Sequence, residues 1–303
     1  QWMRAMIDAH SATAVATGAR IVHSCGFDSI PSDLGVWFTQ QQAISHLGAP
    51  CAAIDMRVKA MKGGASGGTI ASMLNLVEEL TSDPDLRREL ANPYSIAPED
   101  MRSGVRQPDV THPTFDPAAD SWIAPFVMAA VNTRIVHRTH ALLGRPWGEE
   151  FRYGEALQTG AGPSGVARAS GVVAGLGGFG AMVALGPTRS ILTRYVLPQP
   201  GEGPSPQAQQ SGRYDLRVFG TTADGGHIRT RVTGDRDPGY GSTAKMLGEA
   251  AVMLVDLPHE QVGGGFWTPA TALGDALIER LENHAGLRFS LLTTSESVPA
   301  ATT

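Results

Sequence analysis

Cysteine is nearly absent from this 303-residue sequence, which contains only Cys25 and Cys51. Two cysteines exclude a disulfide framework and a four-cysteine metal site. Charged residues are also scarce, at 17% of the sequence, and the net charge of −5 argues against nucleic acid as a general partner. Hydrophobic residues make up 42%, which is typical of a soluble globular enzyme. The length fits one large domain or two modest ones.

Residue periodicity predicts a mixed succession of helices and strands. Helices are predicted at 2–17, 31–47, 70–80, 124–143, 240–255 and 268–284, and strands at 19–23, 51–62, 150–158, 213–222, 227–234 and 287–292. The strands 213–222 and 227–234 should form a hairpin. Residues 91–121 are predicted to be a polar loop and 198–212 a flexible connector. The first predicted strand runs into Ser24-Cys25-Gly26, and Pro31 then opens a helix, as at the ligand crevice of an open α/β sheet.

Six stretches of the sequence carry a resemblance to a known family. They are CGFDSIPSDLG, GGASGGTIAS, NPYSIAP, APFVMAAVNTRIVHRTHALLG, EEFRYGEA and GGGFWTPATALGDALIERL. Together they resemble the saccharopine dehydrogenase-like oxidoreductases, most closely their trans-acting enoyl reductase branch, which acts in actinobacterial lipid and glycolipid synthesis. The resemblance covers about residues 1–292. Members of this family begin with a complete dinucleotide-binding domain, whose glycine-rich loop should stand well before Gln1.

The resemblance implies a chain that lacks most of its cofactor domain. Residues 1–47 are then the C-terminal remnant of a Rossmann-type α/β domain. Residues 48–262 form a larger α+β substrate and dimerisation domain with a mixed sheet, and 263–303 supply a helix and strand that pack back near the cofactor crevice. The implied cofactor is NADP(H) or NAD(H), bound mainly by the missing N-terminal region. This chain alone is therefore expected to be inactive and to bind NADPH weakly or not at all.

The turn after the first strand is the implied nicotinamide end of the cofactor site. The resemblance assigns cofactor binding to Ser24, Cys25, Gly26 and Phe27, and substrate binding to Asp28. Saccharopine reductases carry proline directly after this aspartate, whereas Ser29 stands there in this sequence and the proline is displaced to Pro31. The alternative is that Asp28 and Ser29 only cap the following helix. Cys25 is predicted to be a buried thiol and not a nucleophile, since no base stands at a diagnostic spacing.

Two further glycine-bearing turns are candidates for the same crevice. The loop 63–69 offers backbone N–H groups at the positive end of a helix, which suits a carboxylate, phosphate or thioester oxygen. The segment 263–269 places an aromatic residue before a helix start and a threonine at the cap. The resemblance assigns substrate binding to Gly67, Gly68, Thr69, Trp267 and Thr268. The alternatives are a flexible strand-to-helix connection for the first and an aromatic seal of the helix against the sheet for the second.

One glycine pattern invites a different assignment. Residues 175–180 (GLGGFG) fit the dinucleotide pattern G-x-G-x-x-G to the letter. That pattern requires a strand before it, a helix after it and an acidic residue about twenty positions on. No Asp or Glu occurs between Glu155 and Glu202. The segment is therefore not predicted to be a dinucleotide loop.

Residues 169–188 carry no charge and lie between Arg168 and Arg189. Twenty uncharged residues can just span a bilayer as a helix, although glycine lowers helix propensity. Three placements stay open, of which we favour an exposed apolar segment on a membrane or lipid surface. The others are a buried helix in a homodimer interface and a true span. The protein is accordingly expected in the cytoplasm, with a peripheral position at the plasma membrane as a variant.

The predicted helix 124–143 has a basic face that includes Arg134 and Arg138. It suits a phosphopantetheine or an acidic carrier domain, but we favour a solvated face. His137 and His140 are three residues apart without a nearby carboxylate, so no metal site is predicted.

The implied reaction is reduction of an unsaturated acyl thioester by NAD(P)H, with a polyketide synthase or acyl carrier domain as partner. The protein would align nicotinamide and alkene and stabilise the enolate oxygen. No proton donor is identified; Tyr94, Tyr153 and Tyr240 are candidates only because a phenol can donate. The alternatives are an amino or imino acid oxidoreductase, which an arginine-lined pocket would favour, and a non-catalytic lipid- or membrane-associated relative.

Overall fold

The computed structural model describes residues 2–64, 67–82, 84–195, 197–198 and 201–295. Parts of the loop 63–69, of the connector 198–212 and of the C-terminal end lie outside the described residues. The helices are α1 (Trp2–Thr17), α2 (Ile30–Leu47), α3 (Gly67–Ser82), α4 (Pro84–Ala91), α5 (Ala129–Leu142), α6 (Gly162–Ala184), α7 (Gly186–Tyr195), α8 (Pro206–Ser211), α9 (Gly241–Asp256) and α10 (Pro269–His284). The strands are β1 (Arg20–Val22), β2 (Cys51–Lys62), β3 (Thr114–Asp116), β4 (Ser121–Pro125), β5 (Arg152–Gly160), β6 (Arg213–Thr222), β7 (His227–Gly234), β8 (Gly265–Trp267) and β9 (Leu287–Ser295).

The strands form two sheets. A seven-stranded sheet has the order β3-β4-β5-β2-β6-β7-β9, in which β2 and β5 are parallel and the other neighbours are antiparallel. A second sheet pairs β1 with β8 in parallel. The predicted mixed sheet is therefore confirmed, and it is mostly antiparallel. The assignment of the N-terminal residues to a Rossmann-type domain stays a prediction.

The central strand β2 has one apolar and one charged face because its side chains alternate. Ile54, Met56 and Val58 are buried in the core. On the other face Arg57 bonds to Asp116 through Nε at 2.6 Å. Burial of one face fixes the register of each pairing, since a shift by one residue would turn the apolar side chains outward.

Helix α2 packs closely on the core face of the large sheet. A Cβ atom on Gly35 would lie 3.2 Å from Val232 Cγ2, so glycine sets the helix-to-sheet distance. The hydroxyls of Thr39 and Thr230 bond across this contact at 2.6 Å. Gln40 anchors the start of β2, because its side-chain amide both accepts from the backbone N–H of Cys51 and donates to its carbonyl.

A buried carboxylate joins three helices at one end of this layer. Asp33, in the first turn of α2, accepts from the hydroxyl of Thr139 on α5 and from the backbone N–H of Ala270 on α10. Thr268, the N-cap of α10, bonds to Thr139 at 2.6 Å. This network fixes the N-terminal turn of α2, and with it the turn that precedes the helix.

The structure corrects one predicted helix boundary and adds a helix and a strand that the sequence did not predict. The helix predicted at 124–143 begins only at Ala129, because Pro125 ends strand β4 in pairing with Ala156. The connector contains α8, which begins where the hydroxyl of Ser205 accepts from the N–H of Ala208. Strand β8 was not predicted, since three residues are too few to show a period.

We expect Thr139→Val to lower the free energy of unfolding by about 1–3 kcal/mol, because it deprives buried Asp33 of a hydrogen-bond donor. Chemical denaturation monitored by circular dichroism measures this loss. The control is Thr13→Val on the exposed side of α1, which should change stability little. Equal effects of both substitutions would show that the network around Asp33 adds no stability.

Candidate functional site

Two of the predicted turns converge on a cavity of about 440 Å³. We call it the apolar cavity, because its wall includes Phe27, Met61, Phe126, Val127 and Met128. Its polar wall residues include Asp28, Thr69 and Tyr240, and no described arginine or lysine lines it. The turn before α2 contributes Gly26 to Asp28, and the loop after β2 contributes Gly63, Gly64 and Thr69.

The turn before α2 is held by backbone contacts and by α9. The N–H of Ser29 donates to the carbonyl of Ser24 at 2.8 Å, and the N–H of Phe27 donates to the hydroxyl of Thr243 at 3.0 Å. A Cβ atom on Gly26 would lie 2.9 Å from Thr243 Cγ2, so a larger residue would displace the turn. The cavity wall at this turn is thus positioned by packing on the first turn of α9.

The opposite wall is organised by Asp237. Its fully buried carboxylate accepts from the backbone N–H groups of Gly239, Tyr240 and Gly241 at 2.8–3.1 Å. Gly63 has φ +155°, and a Cβ atom there would lie 2.7 Å from Asp237 Cβ. The loop after β2 can therefore approach this segment only with glycine at position 63.

Asp28 is the carboxyl group of the apolar cavity. Its Oδ1 is buried and has no hydrogen-bond partner, and burial raises the pKa of Asp28 to about 6. Ser29 stands at the N-cap position of α2 but makes no capping bond, and its hydroxyl is also buried without a partner. The alternative that Asp28 and Ser29 serve as helix caps therefore finds no bond to support it in the structure.

Sequence analysis missed Glu155, a second buried carboxyl group close to Asp28. The hydroxyl of Tyr153 donates to Glu155 Oε1 at 2.6 Å, and Asn132 Nδ2 donates to Oε2 at 2.9 Å. Burial, opposed by these bonds and reinforced by the charge of Asp28, raises the pKa of Glu155 to about 7. The sequence pattern here is a glutamate two positions after a tyrosine, which places both side chains on one face of a strand. Solvent-exposed strands show the same pattern, so it does not identify a buried carboxyl group.

The favoured solvated face of the helix 124–143 is wrong. Asn132, His137, Arg138 and His140 are all buried. Arg138 donates to the carbonyls of Ile96 and Phe266. The face is not free for a carrier domain, because loop 93–97 and β8 cover it.

The two histidines of α5 are neutral parts of an aromatic cluster. The ring of His140 stacks on Trp147 at 5.0 Å, and the ring of His137 lies 4.8 Å from that of Tyr94. Burial lowers the pKa of His137 to about 3 and that of His140 to about 4. Within the described residues no three His, Cys, Asp or Glu side chains form a group that could hold a metal ion.

Trp267 and Thr268 do not line the apolar cavity as described. Thr268 is the N-cap of α10 and forms a capping box with Thr271. The indole N–H of Trp267 donates to the carbonyl of Gly263 at 3.0 Å. The structure thus brings together two of the three predicted turns, and the third is used to begin α10. Substrate binding by these two residues has no geometric support.

The remaining predicted site residues differ in their surroundings. Gly67 donates its N–H to the carbonyl of Glu202 at 2.8 Å and so does not offer it to a ligand, whereas Gly68 is exposed. Cys25 is half-buried and not fully buried as predicted, and burial and the charge of Asp33 raise the pKa of its thiol to about 12. Of the tyrosines, Tyr240 lines the cavity, Tyr153 is bonded to Glu155, and Tyr94 donates to the carbonyl of Val105.

The glycine pattern 175–180 lies inside the continuous helix α6, so it is not a turn between a strand and a helix. Helix α6 is long and apolar enough to cross a membrane by length and composition, and 11% of its most apolar window is buried in the chain. Met182, Leu185 and Ile191 are exposed along α6 and α7.

Removing the guanidinium of Arg138 should destabilise the fold. Arg138→Met leaves two buried carbonyl groups without a charged donor, so we expect a loss of about 2–4 kcal/mol. Thermal unfolding measures it, with Arg194→Met at the exposed side of α7 as the control. An unchanged melting temperature would contradict a stabilising role for the bonds of Arg138 to Ile96 and Phe266.

Curated relatives match nearly the whole chain. A protein of Mycobacterium tuberculosis (strain H37Rv) with the provisional name of trans-acting enoyl reductase is 40% identical over 294 residues, which covers 92% of this chain and 69% of the relative. A trans-acting enoyl reductase of Mycobacterium bovis (strain BCG) is 34% identical over 290 residues, and one of Mycobacterium ulcerans 34% over 293, with the same coverage. No protein-family model and no solved structure matches. At this identity and coverage, the chain belongs to the trans-acting enoyl reductase family.

Proposed function

We propose that the protein reduces the carbon–carbon double bond of an α,β-unsaturated acyl thioester with NAD(P)H. The observation that carries the proposal is the apolar cavity, whose wall is formed by Met, Phe and Val side chains around one buried carboxyl group, Asp28. An acyl chain gains about 0.8 kcal/mol for each methylene that it buries in such a site. The names of the relatives point to the same reaction.

An amino or imino acid substrate fits this cavity less well. A zwitterionic amino acid needs a cation for its carboxylate, and no described arginine or lysine lines the apolar cavity. A larger cleft of about 810 Å³ does contain arginines, but acidic side chains lie among them and the turn before α2 is not part of it. The non-catalytic alternative gives no reason for a carboxyl group in the wall of an apolar cavity.

The described residues fit the nicotinamide end of the cofactor. Gly26 and Phe27 offer backbone and an aromatic ring at the cavity wall, and the carboxyl group of Asp28 belongs to the same wall, where a carboxamide N–H₂ requires an acceptor. No described strand-to-helix turn carries the glycine pattern for a pyrophosphate, since residues 175–180 are helical. When bound, the nicotinamide supplies a hydride to the β-carbon. The preference for NAD(H) or NADP(H) is determined by the residues that contact the cofactor's ribose.

The chain's own residues then position the acyl group and exclude water. The aromatic and aliphatic wall holds the chain, and Tyr240 places a hydroxyl at the same wall. "Trans-acting" describes a reductase whose substrate is presented by another polypeptide. We therefore propose an acyl carrier domain of a polyketide synthase as the partner and complex lipid synthesis as the context.

The test is turnover of 2-enoyl thioesters of increasing chain length with NADPH, followed by loss of the reduced-nicotinamide absorbance. It uses this chain within a protein of the relatives' full length, of which the chain covers 69%, because the chain alone is expected to be inactive. We expect kcat/KM to rise with chain length. Val127→Asp should lower kcat/KM for long chains at least about tenfold and spare short ones, because it places a charge on the acyl path.

The matched control is Val252→Asp, which changes an equally exposed valine on α9 far from the cavity. It should leave kcat/KM unchanged. NADPH oxidation with amino or imino acids and none with enoyl thioesters would replace this proposal by the saccharopine-type reaction.

We further propose that the face formed by α6 and α7 rests on a lipid surface. The exposed Met182, Leu185 and Ile191 form an apolar face, and the arginines at 168, 189 and 194 stand where a helix meets phosphate headgroups. This placement keeps the protein in the cytoplasm at the membrane periphery.

Liposome flotation tests this placement with vesicles that contain anionic lipid. The wild type should float, and the double variant Val173→Asp plus Met182→Asp should not, because two charges on the apolar face oppose insertion. Val15→Asp plus Val252→Asp removes two apolar side chains elsewhere and should float like the wild type. Equal flotation of all three, or of none, would favour the homodimer interface instead.

A further inference from the structure

Two carboxyl groups lie between two separate cavities. Asp28 lines the apolar cavity, and Glu155 lines a second cavity of about 590 Å³. Phe126 lines both cavities and so forms the partition between them. The second cavity is bounded by the exposed residues Arg106 and Pro108, which connects it to solvent.

The environment of this pair favours a single shared proton. The negative charge of half-buried Asp28 acts on buried Glu155, so ionisation of one group opposes ionisation of the other. The groups that face Glu155 are Tyr153 on its own strand, Asn132 on α5, and Ser32 and Asp28 at the start of α2. Asp33 acts on Tyr153, and Arg134 lines the second cavity.

The hydrogen bonds of Glu155 suit both of its protonation states. As a carboxylate it accepts from Tyr153 and from Asn132 Nδ2. Asn132 Oδ1 is buried and has no partner. Rotation of this amide by half a turn would present Oδ1 to a protonated Glu155, which then donates to it. If Glu155 served only as a structural acceptor, Asn132 Oδ1 would be expected to have a hydrogen-bond partner of its own.

We propose that Asp28 donates the proton that completes the reduction and that Glu155 reloads it from the second cavity. This role rests on the proposed enoyl reduction. As the hydride forms the new bond to the β-carbon, the electron pair of the alkene moves toward the thioester. The O–H bond of Asp28 then breaks and a C–H bond forms at the α-carbon. The Asp28 carboxylate then takes the proton of Glu155 through a bridging water, since no described hydrogen bond joins the two groups, and Glu155 takes a proton from the solvent.

The direction of transfer follows from where each group lies. Asp28 is the one carboxyl group among the described residues of the apolar cavity, from which a bound acyl chain displaces water. Glu155 faces the cavity that reaches solvent. The raised pKa of each group, about 6 for Asp28 and about 7 for Glu155, leaves a proton available near neutral pH.

Turnover by this chain within a protein of the relatives' full length tests the donor. Asp28→Asn should lower kcat about 10²–10⁴-fold, the usual contribution of a general acid, without a matching change in KM. Glu155→Gln should lower kcat less and move its decline with rising pH to lower pH, because Asp28 must still be protonated and loses the charge of Glu155 beside it. Glu150→Gln, an exposed carboxyl change just before β5, is the control and should leave kcat and its pH profile unchanged. An unchanged kcat in Asp28→Asn would overturn the proposal.

Carboxyl titration by carbon-13 NMR tests the pair without substrate or cofactor. In Asp28→Asn the pKa of Glu155 should fall, since a negative charge beside it is removed. In Tyr153→Phe, which keeps both carboxyl groups, the pKa of Glu155 should rise because its carboxylate loses a donor. An unmoved pKa of Glu155 in Asp28→Asn would refute the coupling. If the wild type titrates as expected but reduces no enoyl thioester, the reaction is wrong and the proton-sharing pair stands.

Discussion

The carboxyl group of Asp33 is the constraint on which the arrangement of the site depends. It joins the first turn of α2 to α5 through Thr139 and to α10 through the N–H of Ala270. Since α2 follows the turn that carries Asp28, the position of that turn depends on this network. The same end of α2 carries Ser32 beside Glu155. The hydrogen bonds of Asp33 that fix α2 and the proposed proton donor Asp28 therefore lie within one helical turn of each other.

Burial shifts the pKa values of the carboxyl groups at this turn and of the histidines on α5 in opposite directions. Burial raises the pKa of Asp33 and of Glu155 to about 7, so stability from these groups is present below about pH 4 and declines as pH rises toward 7. Burial lowers the pKa of His137 to about 3 and of His140 to about 4, so stability from the neutral rings is present above about pH 6.5 and declines as pH falls toward 3–4. The two contributions oppose each other between about pH 4 and 7, and the stability of this region should vary little there.

Local patterns predicted the strands better than the site. Strands β2, β6 and β7 have the predicted bounds. In a strand with one buried face, apolar and polar residues alternate along the sequence, so neighbouring residues are enough to identify it. The basic face of α5 was misjudged because its partners are distant in sequence. Arg138 bonds to residues 96 and 266, which no search within one helical turn can find. Two of the three glycine turns meet at one cavity. The pairing of β8 with β1 could not be predicted, because the residue pattern within each short strand does not identify its partner.

Helix α6 combines low intrinsic stability with little support from the rest of the chain. Gly171, Gly175, Gly177, Gly178 and Gly180 lie inside the helix, and a Cβ atom at any of them would meet nothing described within 4 Å. Each lowers helix propensity by about 1 kcal/mol relative to alanine, and no contact within the described chain requires it. In water this helix should be the first to open locally, with rapid amide hydrogen exchange while the sheet stays protected. Its ordered form then depends on whatever surface covers it.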